Sequence, residues 1–396
     1  MDKRKLLLYL IAGANFTHIV DFMIVMPLGD NFMKVFQINP QHFSWMVSAY
    51  TFAAAIAGFV GATFVDKFDR RSMFLVTYAG FIVSTVLCAA TTSFHLLLVA
   101  RAATGIFGGT ISALAISMVS DLFDYKERGA AIGILTTAFS VASVIGVPLG
   151  LVLADKFSWR MPFIGVAAAA VVIWAAIWWQ LPSMRGHLVS KAHQPSPKQI
   201  LMNVLQDKNQ LWGLLLIFVV VLGHFMIIPF ITPYMIRNVG FTNAQIPYIY
   251  LIGGFLTFFT APAIGKITDR LGALKVFNVL VIVSMIPVIL ITNLPPVPIY
   301  VALFVTSLFF VFGGSRFIPA QTLVTAAVSA KSRGSFMSIK TSMQQLAAGL
   351  ASVISGAIVV EQAGTGKLLH YWEAGLLGII ISAVGLFVAP FIKLKE

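Results

Sequence analysis

Apolar runs long enough to cross a lipid bilayer recur along this 396-residue chain, and no polar stretch between them is long enough to fold around a core of its own. A bilayer core about 30 Å thick needs roughly 20 apolar residues in a helix. In hydrocarbon only helices and closed barrels satisfy their own backbone, and continuous apolar runs, rather than alternation, select the helix. Twelve spans are read near 6–28, 43–64, 73–93, 96–119, 129–153, 160–181, 211–235, 245–268, 276–294, 299–328, 334–360 and 373–392. The expected fold class is all-α integral membrane. The first span follows Lys3-Arg4-Lys5 but runs on without a small-residue cleavage site, so it is read as retained rather than as a signal peptide.

A net charge of +13 invites a nucleic-acid partner, yet the placement of the charges argues against one. With the N-terminus inside, the outer segments hold only Lys34, Lys156, Arg160, Arg237 and Lys367. Arg101, Arg316 and Lys340 fall within spans, which leaves 19 of the 27 basic residues in cytoplasmic segments. The positive-inside rule accounts for that asymmetry. The expected setting is the inner (cytoplasmic) membrane of a cell, multi-pass, with both termini cytoplasmic and the lipid bilayer as the surrounding partner. The single cysteine, Cys88, lies in an apolar span and allows neither a disulfide nor a cysteine metal cluster. No cofactor or metal is expected.

The chain repeats itself. At an offset of about 203 residues, Asp21-Phe22-Met23-Ile24 falls on His224-Phe225-Met226-Ile227, and Asp66-Lys67 falls on Asp269-Arg270. At 205, Gly108-Gly109 falls on Gly313-Gly314, and Lys126, Arg128 and Gly129 fall on Lys331, Arg333 and Gly334. Six helices per repeat give both halves the same orientation, as in carriers that rock one repeat against the other around a midplane site. The expected organisation is a six-helix bundle over 1–182, a linker over 183–209 and a second bundle over 210–396. In the linker, Ser196-Pro197 is a helix start followed by an apolar stripe at Ile200, Leu201, Val204 and Leu205, which predicts a short helix on the cytoplasmic surface.

The loop after the second span reads Ala62-Thr63-Phe64-Val65-Asp66-Lys67-Phe68-Asp69-Arg70-Arg71, and the loop after the eighth reads Gly265-Lys266-Ile267-Thr268-Asp269-Arg270-Leu271-Gly272. Both resemble the signature loop of the major facilitator superfamily, although the first copy has Ala62 and Asp69 where that pattern has glycine. The resemblance extends to Arg101-Ala102-Ala103-Thr104-Gly105 with Gly108-Gly109 in the fourth span. In the fifth, Gly146-Val147-Pro148-Leu149-Gly150 is similar to the motif of the antiporter branch, with Ala142 and Leu151 departing from the full pattern. Pro148 is expected to kink that helix, and Gly146 and Gly150 to admit close contact. The resemblance, which covers the whole chain and looks closest to bacterial twelve-helix drug and sugar efflux proteins, implies alternating access. It also implies gating loops carrying Asp66, Lys67, Arg70, Arg71, Asp269 and Arg270, a small-molecule substrate, a proton as coupling partner and a monomeric state.

Elimination among the fourteen acidic residues leaves Asp21 well inside a span. An intramembrane carboxylate is costly and usually faces a cavity or a partner. Asp21 lies seven residues from the outer end of its span and Arg101 five from the same side, depths of about 10 and 8 Å. Burial and a neighbouring cation act in opposite senses on a carboxyl, so a change in their balance takes up or releases a proton; a permanent structural ion pair is the plainer reading. His224, at the repeat-equivalent place, is either a second proton site or a packed, hydrogen-bonded histidine. His18, one turn before Asp21, is read as its local partner. Tyr50, Phe52, Tyr234, Tyr248 and Phe317 are aromatic candidates for an amphipathic cavity, with Gln321 and Gln344. Arg316 is deep and has no acidic neighbour in sequence; it either attracts an anionic substrate group or rests on backbone carbonyls. Lys340, near the inner end of its span, is expected to snorkel.

The function these features favour is proton-coupled efflux of a small amphipathic drug-like or sugar-like compound. A proton-independent or symport uptake carrier, or a lipid transporter, is possible on the same fold. An enzyme is disfavoured, because no serine–histidine or paired-aspartate site falls within the spans.

Overall fold

The computed structural model describes residues 3–64, 68–185, 197–328 and 333–393. Asp66, Lys67 and Ser196 lie outside them. Among the described residues, eleven stretches are long and apolar enough to cross a membrane. A further helix, Arg333–Ile358, has 26 residues and so is about 39 Å long; Lys340, Gln344 and Gln345 make it less apolar than the rest. The expected all-α architecture holds. Large apolar side chains such as Val172 (69% exposed) and Phe387 (74%) are bare on helix surfaces, which suits lipid rather than water.

By packing, the chain divides into one unit of Met1–Ile24 with Ala49–Ile200 and another of Val25–Ser48 with Leu201–Glu396. The first unit holds α1 (Lys3–Ile24), and the second holds α2 (Gly29–Phe36). The following helix, α3 (Pro40–Phe64), contributes its first turns to the second unit and the remainder to the first. The first unit continues with α4 (Arg70–Ala90), α5 (Phe94–Leu122) and α6 (Tyr125–Val141). A π turn at Ala142–Gly146 leads into α7 (Val147–Lys156), and α8 (Met161–Gln180) completes the set. The π turn lies just ahead of Pro148, whose missing N–H removes a rung of the helix ladder. The Ser93 side chain accepts the amide of Leu96 at 3.3 Å and starts α5. The core is built on Phe74, Tyr78, Phe81, Leu114 and Met118.

The short helix expected after Ser196, α9 (Pro197–Gln206), leaves its first turn in the first unit and contributes the rest, from Leu201, to the second. Asp207 then accepts the amides of Asn209 and Gln210 and caps α10 (Lys208–Phe225). Here the structure corrects the sequence reading. The seventh span is not one helix over 211–235 but breaks after Phe225, through a 3-10 turn at Ile228–Phe230, α11 (Ile231–Tyr234) and a π turn at Met235–Val239. Pro229 and Pro233 lack the amides that would carry the ladder across. The remaining helices are α12 (Ile246–Leu271), α13 (Ala273–Thr292), α14 (Ile299–Leu308), α15 (Phe317–Ala326), α16 (Arg333–Ile358) and α17 (Tyr371–Val388). A π turn at Phe309–Gly313 lies between α14 and α15, so the tenth span, Ile299–Ala326, carries a π bulge just ahead of Arg316. Val360–Glu361 and Leu368–Leu369 pair as an antiparallel hairpin before α17.

Candidate functional site

Helices α1 and α5 bring Asp21 and Arg101 together. Arg101 Nη1 donates to Asp21 Oδ2 at 2.6 Å and reaches the Asp21 carbonyl at 3.4 Å, and both side chains are fully buried. The depths counted along the chain therefore meet in space. Tyr50 of α3 lies over the guanidinium, 4.7 Å from Arg101 Cζ to the ring centroid, and stacks on Phe22 at 5.1 Å. This placement depends on the glycines that follow Arg101. A Cβ on Gly105 would stand 2.2 Å from the Tyr50 carbonyl oxygen, one on Gly108 2.4 Å from the Tyr50 hydroxyl, and one on Gly109 2.7 Å from the Ala54 carbonyl oxygen. The glycine face lets α5 lie against α3 with the Tyr50 ring at the charge pair.

The fifth-span motif packs on the other side of the aspartate's helix. A Cβ at Gly146 would meet Val20 Cγ2 at 2.4 Å, and one at Gly150 would meet Ile24 Cδ1 at 2.7 Å. Val20 and Ile24 flank Asp21 on α1, so the Pro148 helix touches the turn that carries the carboxylate.

His18 does not partner Asp21. Its Nε2 contacts Asn15 Oδ1 at 2.9 Å and Ser112 Oγ at 2.8 Å, and its Nδ1 contacts the Tyr50 hydroxyl at 3.3 Å. One helical turn puts it on the same stripe as Asp21, but Tyr50 and Ser112 claim the ring first. Through Tyr50 it joins the same buried polar set.

In the second unit His224 lies in the last turn of α10, stacked on Phe309 at 5.2 Å and met edge-on by Phe317 at 5.1 Å. Arg316 is buried, and its Nη1 donates to Ser382 Oγ at 3.0 Å and Ser284 Oγ at 3.4 Å, not to backbone carbonyls. Lys340 does not snorkel: it is 7% exposed, and its ammonium donates to Gln321 Oε1 at 2.9 Å. Gln344 is half-buried on α16. Tyr234 is buried, its hydroxyl donating to the Leu294 carbonyl at 3.2 Å, whereas Tyr248 is 51% exposed and faces outward.

Of the gating-loop residues, Arg70 pairs with Asp121 and Arg71 donates to the Trp178 carbonyl at 2.6 Å. Asp269 and Arg270 are exposed near the end of α12. Asp69, where the signature pattern has glycine, is the N-cap of α4. Its Oδ2 accepts the Ser72 hydroxyl at 3.0 Å and its Oδ1 accepts the Met184 amide at 2.7 Å. Burial pushes the Asp69 carboxyl up, but these donors outweigh it and hold the group below the usual carboxylate range. The departure from the motif is a cap and a tether.

Sequence reasoning missed one charged cluster altogether. Asp30 on α2 is buried, accepts Arg237 Nε at 2.6 Å and pairs with Lys34 at 2.7 Å, and Arg237 also pairs with Glu361 of the hairpin at 2.7 Å. The i,i+4 spacing of Asp30 and Lys34 was visible, but partners more than 200 residues away were not.

With this geometry in view, the chain matches the family described as Major Facilitator Superfamily over residues 11–310 and, separately, over 213–396. It is 25% identical over 379 residues to an uncharacterized MFS-type transporter, YfhI, of Bacillus subtilis, spanning 91% of this chain and 87% of that protein. It is 27% identical over 233 residues to multidrug resistance protein 3 of the same organism, spanning 54% of this chain and 45% of that one. Among solved structures, the fold matches the inward open xylose transporter XylE from E. coli with a TM-score of 0.75 and 15% identity, over 99% of this chain and 97% of that one. A bacterial homolog to the human lysosomal transporter Spinster, inward-facing and unoccupied, matches with a TM-score of 0.73 and 17% identity, over 98% and 96% of the two chains.

Proposed function

The chain belongs to the Major Facilitator Superfamily and is a multi-pass carrier of small molecules rather than an enzyme; from that premise we propose that it exports a small amphipathic compound in exchange for protons, with Asp21 as the proton carrier. The observation that carries this reading is the Asp21–Arg101 pair, fully buried at 2.6 Å inside a membrane span. An ion pair this deep is costly to bury and weak support for stability, while intramembrane carboxylates mark proton paths. The relative named multidrug resistance protein 3 fits an export direction.

The residues suggest how the pair works. Ionised, Asp21 holds Arg101 through Oδ2. A proton arriving on that oxygen removes the charge attraction, and Arg101 keeps the Tyr50 face and the Asp21 carbonyl as partners. The guanidinium is thus never stranded, and the α1–α5 contact gains two states that differ by one proton. Because Gly146 and Gly150 press directly on Val20 and Ile24, a tilt of the Pro148 helix moves the turn that carries the carboxylate. Opening Asp21 to one side and then the other, with substrate favouring the deprotonated state, gives antiport. The signature loops, with Asp66, Lys67, Asp269 and Arg270, bias the conformations without touching substrate.

The sign of proton movement tests this reading. Inside-out vesicles containing the protein, acidified inside and loaded with a pH-sensitive dye, are offered drugs, sugars and nucleosides one at a time. An antiporter dissipates the acid interior as its substrate enters; a substrate that acidifies the interior further, or moves without any proton, refutes the proposal.

A further inference from the structure

We infer that the second unit carries a built oxyanion site centred on Arg316, and hence that the transported solute is an amphipathic compound with a carboxylate or phosphate group. This deepens the transport reading above and rests on it.

In the first unit the buried arginine has its acid: Arg101 is 2.6 Å from Asp21. In the second unit the buried cations have none. Arg316 is 3% exposed and Lys340 7%, yet among the described residues Arg316 donates only to the hydroxyls of Ser382 and Ser284, and Lys340 only to the side-chain oxygen of Gln321. Every acidic residue described in this unit stands near a helix end or in the hairpin: Asp30, Asp207, Asp269, Glu361 and Glu373. Two cations inside the spans therefore face no carboxylate there, an arrangement that buried charges tolerate poorly unless an anion joins them.

The donors are arranged to receive one. Both serine contacts fall on Arg316 Nη1, while Nε has no acceptor. The Nε edge is the one that binds a carboxylate side-on with two parallel hydrogen bonds. The serines are held for their role: Ser382 donates its proton to the Gly378 carbonyl at 2.7 Å and Ser284 to the Val281 carbonyl at 2.8 Å, so each turns a lone pair toward the guanidinium. They fix Arg316 without neutralising it.

A second unsatisfied group lies nearby. His224 Nδ1 is buried without a partner, its ring lies edge-on to Phe317, the residue that follows Arg316 in the chain, and Gly313 at the end of the π turn lies against the ring, where a Cβ would stand 3.5 Å from Nδ1. Phe309 and Phe317 flank that ring. A charged fork, an imidazole nitrogen without a partner and the two phenyl rings packed on that imidazole form a coherent recognition set for an aromatic or aliphatic acid. π bulges inside helices are frequent at functional sites, and the Phe309–Gly313 π turn lies just ahead of Arg316.

The test is a binding measurement, free of any gradient, so that failure of proton coupling at Asp21 leaves its outcome unaffected. The full-length protein in phosphatidylcholine nanodiscs is melted with benzoate, salicylate, octanoate and phenyl phosphate, each acid carboxylate beside its amide and phenyl phosphate beside phenol. At least one anion should stabilise the protein while its uncharged counterpart does not. Arg316→Gln should weaken that anion's binding roughly ten- to a hundredfold, and Arg316→Lys, which keeps the charge and loses the fork, should fall between. The lysine variant serves alone if the glutamine variant does not fold. Equal binding of acid and neutral partner throughout, or a preference that survives Arg316→Gln, overturns the inference. Stabilisation by added phosphatidylglycerol, with none by the soluble anions, would assign the site to a lipid headgroup and overturn the solute reading.

Discussion

Asp21 and Arg101 show how much a single residue can constrain. Depth counted from the span ends put both on one level, and the structure places them in direct contact. Removing one partner of a buried pair strands the other, so Arg101→Ala should cost about 3–5 kcal/mol of stability, read as a lowered melting temperature in detergent; an unchanged melt would mean the pair is not closed in solution. Asp69 makes a smaller and pH-dependent contribution. Its folded-state affinity for protons is depressed by the Met184 amide and by Ser72, so its stabilisation is fully present above the ordinary aspartate range and is lost as pH falls through its folded value. Asp69→Ala should cost about 1 kcal/mol at neutral pH, with the gap to the parent protein closing in melts near pH 3. A gap that stays constant would remove the tether from the account. His18 was misread for a physical reason: sequence gives the stripe on its own helix, but not that Tyr50 and Ser112 arrive from two others.

Glycines decide the contacts at the scale of elements. The Gly105 position meets a backbone carbonyl, which cannot rotate away, whereas Gly133 has nothing within 4 Å. Gly105→Ala should therefore destabilise by about 1–3 kcal/mol, while Gly133→Ala should be neutral or gain up to about 1 kcal/mol from helix propensity. Equal melting temperatures for the two variants would contradict the close α3–α5 approach. The span count and the short helix after Ser196 were legible, because length, apolarity and a helix-start proline carry them. The break after Phe225 was partly legible through Pro229 and Pro233, but a span boundary drawn on hydropathy alone passes over prolines. The π turns at Ala142–Gly146 and Phe309–Gly313 had no signal beyond nearby glycine and proline.

For the molecule as a whole, the internal repeat is the organising fact, and it was readable from one chain against itself. What it could not reveal is that Val25–Ser48 packs with the second unit, because Asp30, Arg237 and Glu361 are brought together from distant places by tertiary structure. Topology is open to a direct check. With buried Cys88 replaced, cysteines introduced at the exposed positions Met202 and Thr365 should react with an impermeant reagent from opposite sides of the membrane. Labelling of both from one side would contradict the orientation that the basic residues imply.

The central claim, that Asp21 carries the coupled proton, is tested most directly by flux of an identified substrate in proteoliposomes with and without an imposed pH gradient. Asp21→Asn mimics the protonated carboxyl at nearly the same size, so the variant should fold and bind substrate. It should lose gradient-driven accumulation and keep exchange between equal pools. Accumulation driven by the gradient in Asp21→Asn would contradict the account.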